Sequence, residues 1–501
     1  MKQVKFSVRQ ATSVVAAILC LGASATAFAQ VEAKVTGRVH FDARVIDNSF
    51  NAIADRDSAS VGDTFEVRRA RIGVVGTINK DIGYEIVGNA VGGNTNWIDT
   101  AFANYGFNKK AQVRVGRFKQ PFSMEEQSSS NNVSFMERSY GNQMVPGKRL
   151  GAMVYGEPMT GFTYGASIYQ DGFNELTNQN GIGTKQAARL TLNLAQMNNM
   201  KDTVLHIGAG YTGGDSQVVP TNSGNTQSAA DPKTRATIVA FRTEGRGMSN
   251  AYRAQIGGDI LRSSSVSVVG GATSTTVGVG YGDSANNAMT INQKMRGIEL
   301  AGARGPFKFQ METMNSKFNA NGVQQDLNTP SSALTPVSMN VQVKTQYLEF
   351  MYNITGESFS EAYKGGNFGG IKPKTNFMTD YGGVVGNGTG AWQVGYRTSK
   401  YTADLPVVVT GTMCSSVAGS SCDYSTGLST NSRVQNSESA TTNTYALNWI
   451  LNSNARVMFN YAETKFAHGV LLLDVNQTSG TTISGSTDKE RVISVRTQIN
   501  F

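Results

Sequence analysis

The sequence predicts an all-β fold, a transmembrane antiparallel β-barrel of about sixteen strands with eighteen possible. Three observations predict it. Apolar and polar residues alternate with period two through most of the chain, the pattern of strands with one apolar face. The connections are alternately tight and long, as where short periplasmic turns face long extracellular loops. The chain also ends on an alternating segment whose last residue is Phe501. Composition agrees, because 55 glycines disfavour helix at about 1 kcal/mol per site relative to alanine.

Residues 1–29 read as a signal peptide. Lys2, Lys5 and Arg9 form a basic end, Ala11 to Ala25 is small and apolar, and Ala27-Phe28-Ala29 is an A-x-A cleavage site. The barrel domain is then 30–501, and losing those three cations lowers the net charge of +9 by three. Beyond it no stretch approaches the ~18 apolar residues of a membrane helix. The mature cysteines are Cys414 and Cys422, in the polar stretch GTMCSSVAGSSCDYS. In an oxidising envelope a disulfide pinning a surface loop is expected, two free thiols being the alternative.

In 34–46, Val35, Val39, Phe41 and Val45 share one face, and Arg38, His40, Asp42 and Arg44 the other. In 187–195, Leu190 and Leu192 oppose Arg189, Thr191 and Asn193; in 455–466, Val457, Phe459 and Tyr461 oppose Arg456, Met458 and Asn460. In the last segment Ile493, Val495 and Ile499 oppose Ser494, Arg496 and Gln498. A soluble sandwich would alternate too. The long-and-short connections, the terminal phenylalanine and segments near the ~9–11 residues of a tilted membrane strand decide for a barrel. Its apolar face then meets lipid and its polar face lines a lumen. The long connections are 47–62, 119–149, 212–233, 263–292, 317–340, 401–440 and 467–488. Segments 233–243 and 251–262 alternate poorly and leave the strand count open. The connection after 341–353 is too long for a periplasmic turn and is either disordered or folded into the lumen.

The longest aperiodic stretch with chemistry in it is KQPFSMEEQSSSNNVSFMERS, after the strand that ends at Pro121. Inward cations cluster near it: Arg38, Arg44, Arg69, Arg71, Arg114 and Arg189, with Arg117 and Lys119 at its start and Arg138 at its end. Guanidinium groups in a narrow, low-dielectric passage concentrate anions and offer a planar fork to phosphate or carboxylate. The blander reading is that a wet lumen must be polar anyway. Glu66, Glu85, Asp99, Glu125 and Glu126 can neutralise several of these arginines. Arg68 and Arg69 are neighbours, so one should face lipid unless a bulge lies there, and either a bulge or a position near the rim is expected. No nucleophile, metal-ligand spacing or cofactor motif stands out, and no nucleic-acid partner is expected; the histidines His40, His206 and His468 are isolated.

Three blocks resemble a known family. They are FEVRRARIGVVGTINKDIGYEI (Phe65 to Ile86), IDTAFANYGFNKKAQVRVGRFKQPFSMEE with MERS (Ile98 to Ser139), and YNITGES…KGGNFGGIKPK…GAWQVGYRTSKY (Tyr352 to Tyr401). They are similar to the phosphate-selective porins O and P. The resemblance implies a sixteen-stranded homotrimer with an inward-folded third extracellular loop. It places Arg68, Arg69, Ser129 and Ser130 at solute-binding positions. It also implies that the long connection after Thr355 enters the lumen with Lys364, Lys372 and Lys374. Members carry lysines within the third loop where this chain has Glu126 and Asn131. The expected activity is diffusion of small polar or anionic solutes across the outer membrane of a Gram-negative bacterium. A structural or adhesive barrel and a sugar-selective channel are the alternatives.

Overall fold

In the computed structural model the described residues are 31–47, 63–79, 81–91, 97–171, 183–218, 235–248, 251–257, 264–269, 272–277, 289–324, 335–377, 388–404, 407–410, 413–415, 432–476 and 480–501. The proposed signal peptide and Cys422, with its pairing, lie outside them. Sixteen described strands form the wall. The first eight are β1 (Val31–Ile46), β2 (Thr64–Ile78), β3 (Ile82–Asn89), β4 (Ile98–Asn108), β5 (Ala111–Lys119), β6 (Lys148–Met159), β7 (Phe162–Asp171) and β8 (Gly183–Asn193). The rest are β9 (Thr203–Val218), β10 (Met289–Arg304), β11 (Phe307–Gln324), β12 (Thr335–Asn353), β13 (Ala391–Ala403), β14 (Ser439–Ile450), β15 (Ala455–Asn476) and β16 (Gly480–Asn500).

Each strand pairs antiparallel with its sequence neighbours, and β1 pairs with β16 from Arg38↔Asn500 to Ile46↔Val492, so the sheet closes. Closure leaves no edge, which is what lets strands cross hydrocarbon. The seam is finished by the last residue: Gly37 and Phe501 exchange backbone hydrogen bonds of 2.8 and 3.1 Å. Outward positions such as Phe41, Ile72, Val115, Leu190, Ile298, Phe350 and Ile493 are exposed, as a lipid-facing surface requires. Aromatic pairs gather at the end with the short turns. Trp392 stacks on Trp449 at 5.1 Å, and Tyr105–Phe107 and Phe307–Tyr352 each lie 4.7 Å apart.

The bulge expected at the arginine doublet is present. His40 pairs with Arg69 and Phe41 with Val67, which leaves Arg68 as the extra residue. Arg68 then reaches Glu137, while Arg69 keeps its inward place. A bulge is how one strand presents two adjacent side chains to the same side.

The two uncertain segments are not wall strands. Arg235–Phe241 pairs antiparallel with Tyr252–Gly257, which pairs in turn with Ser432–Asn436. Their alternation is poor because both faces are covered: Ile238, Val239, Phe241, Tyr252 and Ala254 are all buried. They pack on Ile291, Met295, Phe318, Met339, Val341, Val343, Tyr401 and Phe466, which are inward residues of β10 to β13 and β15. The inward face is therefore not polar all round. Along those strands the interior is a packed core, and β9 connects to β10 by one stretch, 219–288. The connections 317–340 and 467–488 are shorter than expected, since β11 runs to Gln324, β12 starts at Thr335, β15 runs to Asn476 and β16 starts at Gly480.

The long connection after β12 also packs inside. Its two-residue strands Tyr363–Lys364 and Asn367–Phe368 form a hairpin, with Phe359 and Phe368 buried against Met124, Phe135 and Met351. Tyr363 Oη lies 2.7 Å from His206 Nδ1, and Arg189 donates to Gly366 O at 2.8 Å. Lys364, Lys372 and Lys374 remain exposed.

Phe241 is fully buried and stacks on Tyr401 at 4.6 Å. Phe241→Ala should loosen the 235–257 hairpin by about 3–5 kcal/mol, the usual cost of such a cavity. Limited proteolysis of the folded barrel should then cut that hairpin while the wall resists.

Candidate functional site

The site is built around 120–147, the connection between β5 and β6. Pro121 stops β5, having no N–H for the ladder. A helical turn, Met124–Gln127, follows; Ser123, at φ 65°, caps it by accepting from Glu126 N at 3.2 Å. The free N–H groups of Met124 and Glu125 both go to the Glu312 carboxylate, at 3.1 and 2.7 Å. Phe122 lies against Gly210 and Gly297, which face each other across β9 and β10. A Cβ at either position would come within 2.9 or 3.1 Å of the ring, so only glycine admits the approach.

Past the turn the segment has almost no regular structure, and side chains on inward wall positions take up its carbonyls. Arg456 donates to Val133 O at 3.0 Å, Asn448 to Ser134 O at 2.9 Å, Arg496 to Met136 O at 2.6 Å and Arg397 to Glu137 O at 2.9 Å. Arg397 also bridges Glu125 at 3.2 Å and Glu244 at 2.6 Å. Tyr140 Oη meets Thr442 at 2.7 Å.

On the opposite side lie most of the sequence-predicted residues. Arg38 donates to Ser130 Oγ at 2.9 Å and to Ser129 Oγ at 3.4 Å. Lys119 reaches the carbonyls of Glu126 and Ser128, and Arg138 donates to Ser128 O at 2.7 Å. Glu126 binds Arg138 at 3.0 Å, Lys119 at 3.9 Å and the Asn142 amide at 2.8 Å. Arg71 pairs with Asp99 at 2.7 Å, and Asp99 also holds Lys148. Arg117 feels the charges of Arg149 and Asp99. Nη1 of Arg69 is buried with no hydrogen-bond partner among the described residues.

Three predicted residues do not belong to this strip, the first being Arg189, which Glu299 holds at 2.7 Å. Arg44 is buried among Asp42 and Glu66 at 2.5 Å and Glu137 at 3.4 Å, so its charge is already neutralised. Arg114 lies over Phe102 at 4.1 Å and donates to Tyr155 Oη at 2.9 Å, apart from the loop. Sequence reasoning missed Glu137, Glu244, Glu312 and Arg397 as organisers. Arg456 and Arg496 carried a signal, since both stood on inward faces. The others depend on contacts between elements remote in the chain.

Loop carboxyls divide into two kinds. Burial pushes Glu126 up, but Arg138, Lys119 and Asn142 outweigh it and hold it below the usual range. Glu137 is likewise driven up by burial and pulled well below by Arg68 and Arg496. For Glu125 and Glu244 burial wins, Arg397 countering it only in part, and both lie above the usual range.

The family described as phosphate-selective porin O and P matches residues 33–238 and 248–469. The chain belongs to this family. It is an outer-membrane porin of a Gram-negative bacterium. Porin O of Pseudomonas aeruginosa is 21% identical over 455 residues, spanning 86% of this chain and 82% of that one. Among solved structures, the anion-selective porin from Comamonas acidovorans superposes with a TM-score of 0.43 at 12% identity, covering 94% of this chain and all of that one (100%). OmpT of Vibrio cholerae in its trimer form gives 0.46 at 9%, covering 94% and 99%.

The depressed carboxyls fix a pH dependence for this porin. Glu126 and Glu137 stabilise the loop fully above the ordinary glutamate value of about 4.3, and that stabilisation is lost as pH falls through their lowered values. Glu125 and Glu244 act oppositely, becoming neutral at higher pH without cost to the folded state. Loop contacts should therefore persist to about pH 4 and fail below it. Single-channel conductance titrated downward should show that acid step, and the double variant Glu126→Gln, Glu137→Gln should lack it.

Proposed function

We propose that this porin passes small hydrophilic solutes by diffusion with a moderate preference for anions, and that segment 120–147 folds inward as its constriction. The observation that carries the preference is Arg69. Its buried Nη1 has no partner among the described residues, and it stands in a strip with Arg38, Arg71, Arg117, Lys119 and Arg138. A desolvated guanidinium with unmet donors favours an anion that can meet them. Contacts from 120–147 to inward residues of β1 and β11 to β16 support its reading as the constriction. The family's description as phosphate-selective supports the sign of the preference.

Glu126 moderates it. Where relatives would present a lysine, this carboxylate neutralises Arg138 and Lys119. Solutes then meet a weaker field than a phosphate trap provides, which suits throughput: a site must bind well enough to fill and weakly enough to empty. Assembly as a homotrimer and export with cleavage after Ala29 complete the proposal.

Reversal potentials in planar bilayers under a KCl gradient test it. The parent should be anion-selective, and Glu126→Lys should raise the chloride-to-potassium permeability ratio by roughly threefold or more, within the reach of focused fields. A cation-selective parent overturns the preference, and a non-conducting one overturns the channel.

A further inference from the structure

We infer that the cavity between the third extracellular loop and segment 242–246 binds small organic dianions, two anionic groups joined by a short carbon body. This rests on the anion-channel reading and narrows its substrate class. The cavity holds about 350 Å³ and is lined by Arg68, Arg69, Arg138, Arg242 and Arg246. Its two carboxylates are already engaged. Glu137 takes Arg68 at 3.0 Å, Arg44 and Arg496 at 3.4 Å each and Arg246 at 3.9 Å. Glu244 takes Arg397 at 2.6 Å and Tyr140 N at 2.9 Å. Arg44, Arg496 and Arg397 all lie outside the cavity lining, so they draw the carboxylates' charge away and leave the arginines in excess.

Three of those arginines have donors to spare, Arg138 through its buried Nε, and Arg69 and Arg242 besides. Arg69 Nη1 is buried and unpartnered among the described residues. Arg242 is exposed, and its hydrogen bonds to Gln143 use only its backbone N and O. Arg69 belongs to the wall and Arg242 to the opposing loop segment, so two separate elements each offer a guanidinium. Among the described residues no lysine lines the cavity. A planar fork pairs bidentately with a carboxylate, where an ammonium would act as a point charge. Size and lining choose the body. A volume near 350 Å³ is at the scale of small-molecule pockets, about 300–1,000 Å³, and a bare inorganic ion would leave most of it to water. Val133 and Met136 are the apolar members of a lining that also includes Ser130, Asn142, Gln143 and Thr243, and they favour carbon between the two charged ends.

The test is block of chloride current through the full-length mature channel in planar bilayers. The probes are glutarate, butyrate as the single-carboxylate control, and inorganic phosphate as the carbon-free control. Glutarate should block half-maximally at a concentration at least tenfold lower than either control. Arg242→Gln should raise that concentration at least fivefold, and Arg246→Gln should do the same. Equal block by glutarate and phosphate overturns the inference, as does block that neither variant weakens. The parent's reversal potential separates the two readings. A cation-selective parent fails the channel reading first, whereas an anion-selective parent on which glutarate acts no better than butyrate fails this inference alone.

Discussion

The backbone of residues 131–137 must find hydrogen-bond partners in a place where neither sheet nor helix supplies them. Carbonyls without donors cost free energy wherever water is excluded. The wall meets that demand with Arg397, Arg456 and Arg496 on β13, β15 and β16, joined by Asn448 and Gln498. Three buried arginines thus hold a loop in place. A lumen rich in arginine is not, on that count alone, a lumen built for anions.

That division of labour orders the interior. On the β10 to β15 side, an apolar core packs the 235–257 hairpin against methionines, valines and aromatics, and the carboxylates of Glu125, Glu244 and Glu312 tie the third loop to it. On the β1 to β6 side the cations are less fully met, and Ser129, Ser130 and Arg138 of the loop face them. The unmet Nη1 of Arg69 lies on that side among the described residues, while the other side is filled by packed side chains.

Glu126 shows how one carboxylate can gather several groups of the loop. It is buried and ionised between Arg138 and Lys119, and it also takes the Asn142 amide. Removing its charge leaves two cations beside Arg38 with nothing to balance them. Retaining it keeps Arg138, Lys119 and the Asn142 amide gathered on one carboxylate. On the channel reading proposed above, loop stability and selectivity share that carboxylate.

Much of the wall was legible in the sequence. Period-two alternation, tight turns and the terminal Phe501 follow from the demand that every outward residue tolerate lipid, a demand that acts residue by residue and leaves a local trace. The bulge at Arg68 was readable for the same reason, since two adjacent charges cannot both obey the alternation. The interior was not legible. Nothing near residues 235–248 and 251–257 in the chain says that they pack inside the barrel instead of extending its wall, because their covering residues come from β10 to β15. Nor does an inward arginine reveal whether it meets a solute or a carbonyl. Arg44 and Arg69 look alike in sequence, yet one is enclosed by three carboxylates and the other keeps a donor unmet. That difference is made by groups tens of residues away, and only the closed tertiary structure brings them together.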